Sequence, residues 1–164
     1  MVKPTLSTIS VALGRTVYYF ILSVLCLLSW APPSAHAETH IIREETRTKN
    51  FDDVIFDLQF AITQRNFRIT ARNDIGRGIR QRGVKDFPQV MIIHFCNLTL
   101  ARQALEIDIG FINHMPCRIA VYEHGDRIVI SATSLPEDSD DPHVNAFSHR
   151  INGMLRGIMN FAVD

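Results

Sequence analysis

The sequence predicts one α+β domain in which helices pack on a mostly antiparallel or mixed sheet, with elements ordered βαβαβαββα. Three observations carry this. Apolar residues recur at spacings of three and four over 51–62 and again over 147–161, as one face of a helix requires. Phe67, Ile69 and Ala71 alternate with Arg68, Thr70 and Arg72, the period of a strand with one buried face. Residues 118–122 and 128–133 are apolar runs joined through His124, Gly125 and Asp126, a hairpin in which glycine supplies positive φ.

Residues 41–48 form the first strand in this reading. Asn50 stands ahead of Phe51, Val54, Ile55, Leu58, Ala61 and Ile62, and caps their helix because its side-chain oxygen accepts an orphan N–H of the opening turn. That helix ends near Asn66, and the alternating strand follows. Residues 74–83 are basic and hold Gly76, Gly78 and Gly83, so a brief helix stopped by Gly83 is expected. Residues 90–95 are almost wholly apolar, as a strand covered on both faces is, and are expected at the centre of the sheet. Residues 98–106 form a short helix, an irregular stretch runs to Pro116, and the hairpin comes next. Asp141 and Pro142 open the last helix, since a carboxylate caps it and proline tolerates the first helical position. Its stripe of Phe147, Ile151, Met154, Ile158 and Phe161 is expected against the sheet as core, not as a cofactor box. No repeat, low-complexity tract or linker interrupts the unit.

The segment ahead of this domain reads as an export signal. Lys3 and Arg15 precede an uncharged run at 16–31, Pro32 and Pro33 break it, and Ala35-His36-Ala37 has the small-x-small pattern that signal peptidase accepts. Residues 1–37 are therefore expected to be a cleavable signal peptide, residues 38–164 the mature domain, and the periplasm its location. The alternative is an inner-membrane anchor formed by residues 16–31, although a core of about 16 residues falls short of the roughly 20 that a span usually takes. After cleavage the protein is not expected to be an integral membrane protein. Cys26 lacks the preceding small residues of a lipoprotein signal and leaves with the peptide. Loss of Lys3 and Arg15 leaves 15 basic residues against 17 acidic ones, a balance without long-range pull on nucleic acid, so no nucleic-acid partner is expected. A domain of this length builds its core without metal or disulfide, and the sequence demands no cofactor.

Two cysteines remain, Cys96 at the end of the 90–95 run and Cys117 just before the hairpin, in a compartment where thiols pair or are used. If the two strands are antiparallel neighbours, the Cα atoms fall within the roughly 4.4–6.8 Å that a disulfide spans. The bridge would close about 22 residues and contribute roughly 3 kcal/mol. If residues 98–106 form a parallel crossover, the cysteines lie about 15–20 Å apart and no bond forms, although residues 107–116 are long enough to bring the chain back to the same end, so connectivity alone does not exclude contact. Thiolates also suit zinc and cuprous copper, with imidazole or thioether completing the shell. The candidate metal set is His94, Cys96, His114 and Cys117, with Met115 adjacent. Arg118 lowers the Cys117 pKa if both side chains point the same way, which is the basis of a thiol-redox reading.

Phe95-Cys96-Asn97 leads into a helix around Ala101 and Leu105, followed by Met115-Pro116-Cys117-Arg118 and a strand ending Val121-Tyr122-Glu123. By these motifs residues 90–134 resemble the domain of unknown function family 302. In that family an apolar strand runs into Asn-Pro, a helix, a Leu-Pro turn and a strand ending Val-Tyr-Glu. Here Leu98 replaces the first proline and Met115 the leucine, and the segment 53–83 fits the family only in outline. The resemblance implies a small α+β domain with a homodimer among its expected states and no agreed reaction. It also places this chain with a cysteine-containing subset, in which both cysteines merit testing as a pair.

Other constellations are weaker. Arg72, Arg77, Arg80 and Arg82 among glycines suit an anion pocket, but no phosphate-loop pattern accompanies them and an ordinary solvated face is favoured. The acidic stretch 137–141 lacks the alternating ligands and central glycine of a calcium loop and is read as capping plus solvation. Glu123 and His124 sit at a hairpin turn with no positioned nucleophile, and no serine elbow or hydrolytic metal helix is present, so catalysis has no positive sign. Gly153 and Gly157 suit close helix contact within one chain or between copies. The expectation is an exported ligand-binding or accessory module whose candidate site comprises Asn97, Cys96, Cys117 and Arg118, with the ligand unassigned. Two alternatives stay open: a thiol-redox or sulfur-carrier protein using the two cysteines, and a structural envelope component held by a disulfide.

Overall fold

The computed structural model describes residues 40–164; the expected signal peptide and its cleavage site, the alternative anchor at 16–31 and Cys26 lie outside the described residues. The elements are β1 (Ile41–Thr46), α1 (Phe51–Gln64), β2 (Arg68–Asp74), α2 (Ile75–Arg80), β3 (Val90–Cys96), α3 (Leu98–Ile107), a 3-10 turn (Ile109–His114), β4 (Cys117–His124), β5 (Arg127–Thr133) and α4 (Pro142–Val163). The expected βαβαβαββα order is the observed one. The five strands form one sheet in the order β1-β5-β4-β3-β2, and every neighbouring pair is antiparallel. None of the described helices is long and apolar enough to cross a membrane.

Local chemistry sets the helix ends. The Asn50 side chain accepts from the Asp53 backbone N–H at 2.9 Å, and α1 buries Phe51, Val54, Ile55, Leu58, Ala61 and Ile62. Asn66 then turns the chain at φ 60°, in the left-handed region that asparagine tolerates best among non-glycine residues, and delivers Phe67 to the core. Asp141 caps α4 by accepting from His143 N–H at 2.8 Å, with Pro142 in the first turn. α1 and α4 pack on one face of the sheet, over Ile93, Phe95, Ile119, Val121 and Ile130. A smaller cluster of Ala104, Phe111, Leu135, Phe147 and Ile151 gathers where α3 and the 3-10 turn meet α4.

Five expectations are corrected. The 90–95 run is not the central strand: β4 is, and β3 lies one in from the β2 edge. Nor is β3 covered on both faces. Its buried residues are Ile93 and Phe95, because both long helices pack on the same side, and Ile92 and His94 on the other side are only half-buried. The alternation at 67–72 breaks at a bulge between Ile69 and Ala71, which leaves Ala71 exposed on an edge strand. The α4 stripe holds at Phe147, Ile151 and Ile158 and departs at Phe161, and the buried face is wider than expected, adding Val144, Ser148, Leu155 and Ala162. Phe161 is 44% exposed and stacks on Phe60 of α1 at 5.7 Å, because α4 packs against α1 as well as the sheet. The brief helix stops at Arg80, earlier than Gly83, which completes the following turn at φ 102°.

Two glycines permit close approach. A Cβ on Gly76 would lie 2.6 Å from the Pro88 carbonyl oxygen and 2.8 Å from the Val90 nitrogen, so α2 presses on the backbone entering β3. Gly157 leaves room for Arg65, whose Nη2 donates to the Gly157 carbonyl at 2.9 Å. The close contact at Gly157 is thus intramolecular, while Gly153 faces open space.

Candidate functional site

β3 and β4 run antiparallel with Cys117 opposite Phe95, so Cys96 lies one residue beyond, diagonally across from Cys117. α3 and the 3-10 turn carry the chain back to the same end of the sheet, which removes the parallel-crossover alternative. Strand alternation places Cys117 with Ile119 and Val121 on the core face, and Cys96 with His94 on the opposite face. Both are free thiols. Burial, and after it the neighbouring Cys96, push the Cys117 thiol up to about 11 against the weaker lowering effect of a backbone hydrogen bond. Burial pushes Cys96 up as well. Arg118 does not activate Cys117, because alternation sends the guanidinium to the other side of the sheet. Near neutral pH both sulfurs are uncharged.

Asn97 has an architectural task. Its Oδ1 accepts from the Thr99 and Leu100 backbone N–H groups at 3.0 and 3.1 Å, capping α3, and its Nδ2 donates to the Asn66 carbonyl at 2.8 Å. The amide therefore ties the start of α3 to the left-handed turn after α1. Leu98 is the first helical residue, a position that proline tolerates, and its side chain is 82% exposed, so this departure from Asn-Pro costs the fold no packing.

Beside Asn97 lies a cavity of about 40 Å3 lined by Phe67, Leu100, Phe111, Phe147 and Ile151 together with Cys96, Cys117, His114 and Met115. A second cavity of about 140 Å3 shares His114, Met115, Cys117 and Leu135 with the first and adds His94, Arg118, Thr133 and Leu155. A trough of about 270 Å3 on the helix-free sheet face shares His94, Arg118 and Thr133 with the second, and continues to Asn73, Ile92 and Ile41. The three adjoin one another, from an apolar interior to the polar sheet surface.

The candidate metal set borders these cavities without converging. Among the described residues no three His, Cys, Asp or Glu side chains come together as metal ligands. His94 Nε2 lies 3.3 Å from Asn73 Nδ2 on the helix-free face, while the His114 ring packs edge-on against Phe111 at 6.4 Å. The arginine-rich segment is engaged internally: Arg77 Nε lies 3.4 Å from Asp74, Arg80 donates to the Phe87 and Pro88 carbonyls, and Arg82 donates to the Gly78 carbonyl. Glu123 accepts from the backbone and side-chain N–H groups of Gln89 at 2.7 and 3.1 Å, which fastens the entry to β3. Glu137 accepts from Asn152 Nδ2 at 2.6 Å, and that bond, with His149 beside it, holds the carboxyl below its usual range.

A family model described as Domain of unknown function DUF302 matches residues 43–161, far beyond the 90–134 segment that carried the resemblance. The chain belongs to the DUF302 family. The crystal structure of an uncharacterized conserved DUF302 protein from Bacillus stearothermophilus superposes on this DUF302 domain with a TM-score of 0.66 at 16% identity. The match covers 74% of this chain and 97% of that one, and at this identity it speaks for the fold alone. No curated protein matches the chain. Within the DUF302 domain, the sequence reading located Cys96, Cys117, His114 and Arg118 but missed Phe111 and Leu135. Neither has a local signal, since one sits in an irregular stretch and the other just past β5.

Proposed function

We propose that this DUF302 protein is an exported binding module that holds a small ligand where β4 begins. The observation that carries the reading is the wall of His114, Met115, Cys117 and Leu135 shared by two adjoining cavities. The larger, at about 140 Å3, is close to the roughly 150 Å3 cavity that accommodates benzene in an engineered protein core. The smaller takes no more than a substituent. Binding is favoured over thiol redox chemistry because both sulfurs are held as neutral thiols, and a neutral thiol is a poor nucleophile. The export half rests on residues 1–37, with their charged start, apolar run and Ala-His-Ala site.

Native mass spectrometry of protein isolated from the periplasm, with parallel thiol alkylation, tests both halves. The expected result is a chain beginning at Glu38, with two alkylatable thiols after unfolding and a small-molecule adduct in the native spectrum. A chain that retains residues 1–37 sinks the export claim. A mass lower by two hydrogens with no alkylation and no adduct replaces the binding reading with a structural bridge.

A further inference from the structure

We infer that the ligand is a small organic anion, with an apolar body of about six heavy atoms seated in the middle cavity and a carboxylate or similar headgroup held by Arg118. This deepens the binding reading and rests on it. The middle cavity has two chemically different ends. Its inner end is formed by Met115, Cys117, Leu135 and Leu155, the last only 3% exposed, and the uncharged thiol keeps that end suited to hydrocarbon. Its outer end opens beside Arg118 and His94, which face each other across the β4–β3 ladder on the helix-free side of the sheet.

Charge decides the sign of the headgroup. No Asp or Glu is among the residues bordering the middle cavity or the trough that continues from it. Most arginines of the described residues already have oxygen partners: Arg43, Arg47, Arg77, Arg102 and Arg127 pair with carboxylates, and Arg65, Arg80 and Arg82 donate to carbonyls. Arg118 makes no ion pair or side-chain hydrogen bond among the described residues, yet strand β4 holds its stem in a fixed register beside the cavity mouth. A guanidinium presents a planar fork that matches a carboxylate in two parallel hydrogen bonds. His94 is positioned by Asn73 at 3.3 Å and adds an imidazole next to the same mouth. Inorganic phosphate would satisfy the fork and leave the apolar end empty; a neutral arene would fill the apolar end and leave the fork unpaired.

The test titrates the mature protein with benzoate, benzyl alcohol and inorganic phosphate, following backbone amide NMR shifts of residues 113–115, 117–118 and 133–135. Benzoate is expected to bind at least tenfold tighter than either comparison ligand. Arg118→Gln should erase that advantage while leaving benzyl alcohol affinity unchanged, Arg118→Lys should keep only part of it, and Arg102→Gln on the exposed side of α3 should change nothing. Arg118 is exposed, and a thermal melt confirms that its variants fold. Equal binding of benzoate and benzyl alcohol, or an Arg118→Gln variant that keeps the preference, overturns the anion inference and leaves the binding module standing. Phosphate binding as tightly as benzoate overturns the apolar body. If neither aromatic probe binds, the binding reading falls and the anion inference with it.

Discussion

Replacing Asn97 by alanine removes three hydrogen bonds at once, two that cap α3 and one that reaches back to the Asn66 carbonyl. Loss of the cap costs about 1 kcal/mol. Loss of the tie to Asn66 costs about 1 kcal/mol more, without a full desolvation penalty because that bond is exposed and water can replace it. The sum of about 2 kcal/mol corresponds to roughly 8 °C in Tm for a domain of this size. Asn97→Asp keeps the cap, places a negative charge at a helix N-terminus where it is favoured, and loses only the donor to Asn66, so its cost is about 1 kcal/mol. Urea unfolding of residues 38–164, followed by circular dichroism, measures both variants. If both fall within about 0.5 kcal/mol of the parent, Asn97 is not the architectural tie described above, and its role as a ligand contact returns.

Gly76→Ala forces a methyl group against the Pro88 and Val90 backbone and is expected to cost about 2 kcal/mol in the same assay; no loss would mean that the approach of α2 to β3 is looser than the 2.6 Å contact implies. Ser148→Ala should raise stability by about 1 kcal/mol, because the Ser148 hydroxyl is fully buried without a partner, and a destabilised variant would reveal a hydrogen bond to that group. Iodoacetamide should modify Cys96 well before Cys117 in the folded protein, with the Cys117 rate still climbing above pH 9 because its thiol titrates near 11; equal rates followed by mass spectrometry would contradict its burial. The lowered Glu137 carboxyl contributes stability that is fully present above its unfolded value of about 4.3 and is lost as pH falls through the folded value, so Glu137→Gln should flatten the acid limb of the urea midpoint. An acid limb unchanged by that substitution would dissociate Glu137 from the Asn152 bond.

Local chemistry was legible wherever one residue and its near neighbours settle the outcome. Asn50 and Asp141 announce helix starts because a side-chain oxygen and an orphan N–H three or fewer residues on need nothing else. The hairpin through Gly125 is likewise local, and Gly125 has φ 64°. The motif that marks Asn97 shows in the chain, but its architectural partner Asn66 is far away in sequence and only the fold brings the two together.

The sequence by itself determined the order of elements, the family and the presence of two thiols in the domain, since each depends on periodicity or on short motifs. Only the tertiary structure decided which face of the sheet the helices cover. That choice left Ile92 and His94 half-buried, made β4 the centre, and turned Cys117 inward while Arg118 turned outward. Adjacent residues on a strand point to opposite faces, so whether Arg118 activates a thiol or guards a cavity mouth depends on what lies across the sheet. Residues 95 and 117 became partners only when α3 and the 3-10 turn brought the chain back, a return that the length of 107–116 allows and does not decide.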